Sequence, residues 1–344
     1  MIRFAVGYQL AEDGEEPFSQ LVSDYRDHIA ELYFPWLDTP TCRSGLATRR
    51  GYTDWTAQER LQEELREIHD MGIRLDLLLN ANCYGDDSIS RSFANRICSI
   101  VEQIGNTAGN LEIVTTTSPF VAHVLKENFP SVERRASVNM RIGEVKGMEY
   151  MADLFDSFYI RREYNRDFER IRELKAWADA NGKKLCMLAN SGCMNFCSGQ
   201  TFHDNMVAHE ARIAETVNLK DFLPYSCWRY LKDPAHRVNV LQNSWIRPED
   251  LHHYEGLFDV VKLATRMHSH PGLVIDSYVR GRYVGNLLDL CEPGYGPAFA
   301  PYILDNSAFP ADFFEKVTGC DKKCHQCSYC QSVLEKVMVN TEGY

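Results

Sequence analysis

The feature that most restricts the fold is an alternation. Along residues 2–290 a short apolar or β-branched run is followed, again and again, by a stretch whose apolar residues recur at three- and four-residue steps. The first pattern is that of a buried strand and the second that of an amphipathic helix. Strands are predicted at 2–10, 31–36, 72–80, 111–117, 135–139, 157–160, 184–190 and 259–264, with a further short one at Trp245 before a capped helix. Helices are predicted at 17–29, from a Thr53/Asp54 cap to 70, and at 88–104, 119–128, 144–155, 167–180 and 272–290. About eight strand–helix pairs predict an α/β protein, a (β/α)8 TIM-barrel-like domain over 1–290, with a small cysteine-rich C-terminal extension over 291–344. An open doubly wound sheet is the alternative, but no Gly-x-Gly-x-x-Gly follows the first strand.

Composition narrows the partners. With 44% hydrophobic and 25% charged residues in 344, the chain can bury a large core. A net charge of -11 disfavours a broad nucleic-acid surface, although a local basic groove is compatible with it, and it leaves a small molecule as the favoured ligand. Met1-Ile-Arg-Phe runs straight into strand-like sequence and no apolar run reaches membrane-spanning length, so a cytoplasmic protein is expected. Its 12 cysteines then belong to a reducing compartment.

Four of those cysteines, Cys320, Cys324, Cys327 and Cys330, fall at spacings that let one tight turn aim the sulfurs at a common point. Metal ligation is expected, with a 4Fe-4S cluster preferred and zinc as the alternative at this site. Cys193 and Cys197 form a second group directly after a predicted strand, and Cys227 follows. Cys42, in the long loop after the second strand, is preferred to the strand residue Cys186 as fourth ligand. One or two clusters are therefore expected. Cys83, Cys98 and Cys291 are isolated and read as small buried residues.

In a barrel of this kind the chemistry sits where strands end and the following loops begin. Gln9, Asn80, Asn82, Thr117, Asn139, Arg161, Asn190 and Arg266 lie at or just past such ends, and together they suggest a neutral-to-basic pocket for an anionic small molecule.

Leu188-Ala-Asn-Ser-Gly-Cys193-Met-Asn-Phe-Cys197, His203, Cys227, Trp245-Ile-Arg-Pro-Glu-Asp250 and Val261-Lys-Leu-Ala-Thr-Arg266 resemble the collagenase-like peptidase U32 family. Cys42 with Arg43, Arg49 and Arg50 is similar to a pattern in the smaller partner of the anaerobic ubiquinone-hydroxylation pair. The resemblance spans the barrel and not the four-cysteine tail. It implies a 4Fe-4S cluster on four cysteines and a role in oxygen-independent hydroxylation, with prephenate as the implied hydroxyl donor and with a protein partner or a second subunit of the same type.

The expected site places the first cluster on Cys42, Cys193, Cys197 and Cys227, beside Asn80, Asn139, Arg161, Asn190, His203 and Lys262. An arginine there would clamp a carboxylate by two parallel hydrogen bonds, and His203 would shuttle a proton. Cys320, Cys324, Cys327 and Cys330 would hold the second cluster. A non-catalytic iron-sulfur electron-transfer or scaffold partner is the competing reading. A radical enzyme using S-adenosylmethionine is disfavoured because its cluster loop would follow the first strand. A peptidase is disfavoured because neither Gly-x-Ser-x-Gly nor His-Glu-x-x-His occurs.

Overall fold

A computed structural model describes residues 2–11, 14–37, 39 and 54–342. Eight strands, β1 Phe4–Gly7, β2 Ile29–Pro35, β3 Arg74–Leu79, β4 Ile113–Thr116, β5 Glu133–Ala136, β6 Ser157–Tyr159, β7 Lys184–Leu188 and β8 Val260–Lys262, each lie parallel to the next. β8 pairs back on β1, with Phe4 opposite Val261, so the sheet closes and the fold is the expected (β/α)8 barrel. Between the strands run α1 Phe18–Asp24, α2 Trp55–Asp70, α3 Arg91–Ala108, α4 Pro119–Asn128, α5 Val145–Met151 and α6 Phe168–Ala180. Local chemistry sets several of their starts: Asp54 accepts from the Ala57 N–H at 3.0 Å, Ser90 from Phe93 at 3.0 Å and Asp167 from Arg170 at 3.0 Å.

Alternation along each strand divides the interior into two environments. Outward residues such as Leu75, Leu77 and Leu79 meet Leu61, Leu65, Ile97 and Ile104 of the helices, forming the main core. Inward residues form a smaller cluster of Ala5, Ala30, Tyr33, Leu78, Tyr159, Cys186 and Val260. Toward the strand starts the inward layer is ionic: Arg135 is fully buried and donates to Glu31 at 3.0 Å and to Glu133 at 2.6 Å. Glu133 also accepts from Lys184 at 2.6 Å and Ser157 at 2.7 Å. Charged groups paired in this way close the N-terminal end of the barrel, the end that serves stability in this fold.

Three stretches differ from expectation. Trp245 starts no strand: Ile246 donates to the Ala189 carbonyl at 2.8 Å, but no ladder follows, and Pro248–Tyr254 is a 3₁₀ helix. The helix expected over 272–290 spans Pro271–Arg280, because Gly281 takes a left-handed conformation at φ 62 and ends it. The C-terminal extension over 291–344, in which no strand is predicted, contains β9 Tyr302–Leu304, antiparallel to β10 Met338–Asn340. Around these elements lies a second core that joins Leu231, Leu241 and Trp245 to Phe299, Phe313 and Leu334.

Candidate active site at the barrel mouth

A cavity of about 330 Å3 opens at the C-terminal ends of the strands. Asn80, Asn139, His203 and Lys262 line it together with Cys193, Cys197 and Cys227. These seven come from chain positions up to 182 residues apart, counting from 80 to 262, and the closure of the barrel brings them together.

Two expected residues stand elsewhere. Asn190 is fully buried, donating to the carbonyls of Ala264 at 3.2 Å and Leu290 at 2.8 Å and accepting from the Ala264 N–H at 2.6 Å. Its carboxamide thus ties the ends of β7 and β8 to the 290 segment. Arg161 turns away to Glu163, 3.1 Å off, with its guanidinium over the Phe196 ring, and the neighbouring Arg162 lines the cavity in its place. Arg266, foreseen among the strand-end residues, lines it as well, as do Tyr33, Tyr225 and Tyr295, for which sequence patterning gave no signal. Cys42 lies outside the described residues, as do Arg43, Arg49 and Arg50.

The cysteine loop is held from two sides. Asn243 donates to the Gly192 carbonyl at 2.9 Å and accepts from the Asn195 N–H at 3.1 Å, while the Gly192 N–H donates to the Glu292 carbonyl at 3.0 Å. A Cβ on Gly192 would stand 2.0 Å from the Pro293 carbonyl oxygen, so only glycine allows this approach just before Cys193. After Cys197 comes α7 Gln200–Ala208, which brings His203 edge-on to Tyr225 with ring centroids 5.0 Å apart. Asp204, on the same helix, pairs with Arg141 at 2.9 Å and anchors α7 over the loop that follows β5.

On the opposite wall the Lys262 ammonium lies 3.5 Å from the centroid of Tyr33. That ring is fixed by its hydroxyl, which donates to Leu263 at 2.8 Å, and by Gly7, where a Cβ would fall 2.5 Å from the ring. Burial pulls the Lys262 pKa down and outweighs the opposing charge of Asp76. Among the described residues no carboxylate lies within ion-pair distance of this ammonium.

Cys227 is raised by burial and by the nearby Cys193 and Cys197 thiols. Among the described residues no three His, Cys, Asp or Glu side chains are gathered tightly enough to grip one metal ion. Zinc would draw its thiolates to about 3.8 Å of one another, given Zn–S bonds of about 2.3 Å. Cys193, Cys197 and Cys227 line one cavity, and thiolate is the donor type that an iron-sulfur cluster takes. Cys186, by contrast, is sealed inside the barrel among apolar side chains, where burial raises its thiol pKa. Cys291 belongs to the second core, and Cys98 packs partly buried against the first.

Over 287 residues, 81% of the chain and 82% of the relative, the sequence is 26% identical to an uncharacterized protease of Methanocaldococcus jannaschii. The fold superposes on the structure of a U32 peptidase with a TM-score of 0.53 at 15% identity, covering 76% of this chain and 92% of that one. The chain thus shares the fold of that U32 peptidase and is similar in sequence to the methanocaldococcal protease. No family model matches the chain. Among its described residues no helix is long and apolar enough to cross a membrane.

Proposed function

We propose that this chain is a U32-type iron-sulfur protein that catalyses, or assists as one member of a pair, an oxygen-independent hydroxylation or related redox modification of a small anionic or aromatic substrate. The observation that supports it is the convergence of Cys193, Cys197 and Cys227 on the same cavity as Lys262, Arg162 and Arg266. With Cys42 as the expected fourth ligand, these thiols would hold a 4Fe-4S cluster, which supplies one-electron chemistry when bound. The chain's own groups bind and orient the substrate. Arg162 and Arg266 offer planar donors to a carboxylate, Asn80 and Asn139 offer neutral donors and acceptors, and Tyr33 and Tyr225 offer aromatic faces. Lys262, less ready to carry its proton than an exposed lysine, takes up or releases one at Nζ, and His203 does so at its ring nitrogens.

The described relatives are named for proteolysis, yet the sequence carries neither a serine elbow nor a zincin helix. Anaerobic purification with iron and sulfide counting separates the readings. The Cys193→Ala/Cys197→Ala variant is expected to lose about four irons per chain. Lys262→Met is expected to keep its iron and its visible spectrum while binding benzoate at least about tenfold more weakly, the effect of one charged hydrogen bond. A protein without iron or sulfide that cleaves casein equally well with and without the two cysteines would overturn the proposal.

A further inference from the structure

A second cavity, of about 260 Å3, lies between the tail cysteines and the barrel. Cys320, Cys324 and Cys330 line one side, while Met194, Phe196 and Arg166 line the other. Cys320, Cys324 and Cys327 are exposed and Cys330 is half-buried, yet all four stand close enough for their charges to act on one another.

Arg166 is the unusual neighbour. It is 5% exposed, and its guanidinium donates to backbone carbonyls alone: Trp245 at 2.6 and 3.1 Å and Leu241 at 3.0 Å. It stacks 4.4 Å over the Trp245 ring, and among the described residues no carboxylate reaches it at ion-pair distance. The carboxylate of Asp250 is engaged by Arg247 at 2.8 Å. Carbonyl dipoles satisfy the donors of such a group but leave its full charge without a counter-ion, an arrangement that is costly in an interior unless an anion stands alongside. The Cys330 thiol is close enough for its charge to act on Arg166, and Cys320 and Cys324 line the same cavity.

The two cysteine loops also share a backbone signature. Phe196 between Cys193 and Cys197, and Lys322 between Cys320 and Cys324, are non-glycine residues in the left-handed region, at φ 53 and φ 58, and both line this cavity. Conformations of this kind persist where surrounding structure over-determines them. Lys322 adds a second positive charge on the thiol side.

We infer that Cys320, Cys324, Cys327 and Cys330 hold a second iron-sulfur cluster and that buried Arg166 is its counter-ion. Thiolates bound to a cluster carry a net negative charge, which supplies the anion that Arg166 lacks. Three of the four thiols line this one cavity and all four lie within electrostatic reach of one another, and thiolate is the donor type a cluster takes. Met194 lines both this cavity and the one at the barrel mouth, so the Cys193–Cys197 loop contributes to the walls of both.

The full chain, purified anaerobically, is expected to hold about eight irons and eight sulfides, falling to about four of each in Cys320→Ser/Cys324→Ser, whose altered side chains are exposed and remove no core contact. In the Cys193→Ala/Cys197→Ala background, where the tail cluster alone is left, Arg166→Met is expected to lower its midpoint potential and Arg166→Lys to restore it. Wild-type iron content in the tail variant, alongside its complete loss in the mouth variant, overturns this inference and leaves the mouth cluster standing. Loss in the tail variant with none in the mouth variant does the reverse. Zinc without sulfide at the tail, or equal potentials for Arg166→Met and its parent, also overturns it. If Arg166→Met fails to fold, the cysteine variants decide.

Discussion

Glu133 shows how single residues set the stability of this barrel. Burial alone would raise its pKa, but Arg135, the Lys184 and Ser157 hydrogen bonds and the Lys184 charge outweigh that and hold it at about 2, against an ordinary 4.5. A carboxyl depressed in the folded state adds stability above its unfolded pKa and loses it as pH falls through the folded one. The Glu133 contribution is therefore complete above about pH 4.5, amounts to about 3 kcal/mol, and drains away toward pH 2. Glu133→Gln is expected to lower unfolding stability by about 2–3 kcal/mol at pH 7 and to flatten its decline below pH 4.5, as read by urea titration across that range. An unchanged acid limb would mean that another carboxylate controls it. Asp76, one layer further in, accepts from Thr115 at 2.8 Å and is raised by burial, so its effect on acid stability runs the opposite way.

At the scale of elements, the loop between β7 and α7 is tied on both sides. Its backbone is bonded to Asn243 and to the Glu292 carbonyl, and Gly192 lies against Pro293 with no room for a methyl group. Gly192→Ala is expected to cost about 1–3 kcal/mol by overpacking. Because the displaced residue precedes Cys193, iron content should fall together with the thermal midpoint. Full iron content with an unchanged midpoint would show that the 293 segment yields without moving the loop. α7 depends on a different tie, the Asp204–Arg141 pair, which holds His203 over the cavity.

For the whole molecule, the second core couples residues 231–245, between β7 and β8, to the C-terminal stretch. Trp245 lies near-parallel to Phe313, with centroids 6.1 Å apart, and meets Phe309 edge-on, while Arg247 covers both phenylalanines. Each such ring contributes about 1.5–3 kcal/mol when buried. A chain cut after residue 290 would expose Trp245, Leu241 and Leu231 to water beside the active-site loop. Such a truncation is expected to aggregate, or to lose all its iron and not just that of the tail, as size-exclusion chromatography and metal analysis would show. A monomeric truncation that retains about four irons would establish the barrel as an independent unit.

Sequence alone determined the barrel, because a strand must bury one pattern of side chains and a helix another, and those periods can be read without knowing what lies across the interface. Strand-end position named Asn80 and Asn139, while cysteine grouping and the resembling motifs named His203, Lys262 and three cysteines, before the seven met in one cavity. Tertiary structure decided which of two adjacent arginines faces that cavity, since the rotation of a loop residue depends on the partner it finds; Glu163 takes Arg161 and leaves Arg162. It decided equally that Asn190 spends its carboxamide on backbone and that Arg166, one arginine among many in the sequence, is a buried charge in a cavity lined by three tail thiols. Burial and charge environment are properties of segments brought together across long stretches of chain, and closure of the barrel creates them.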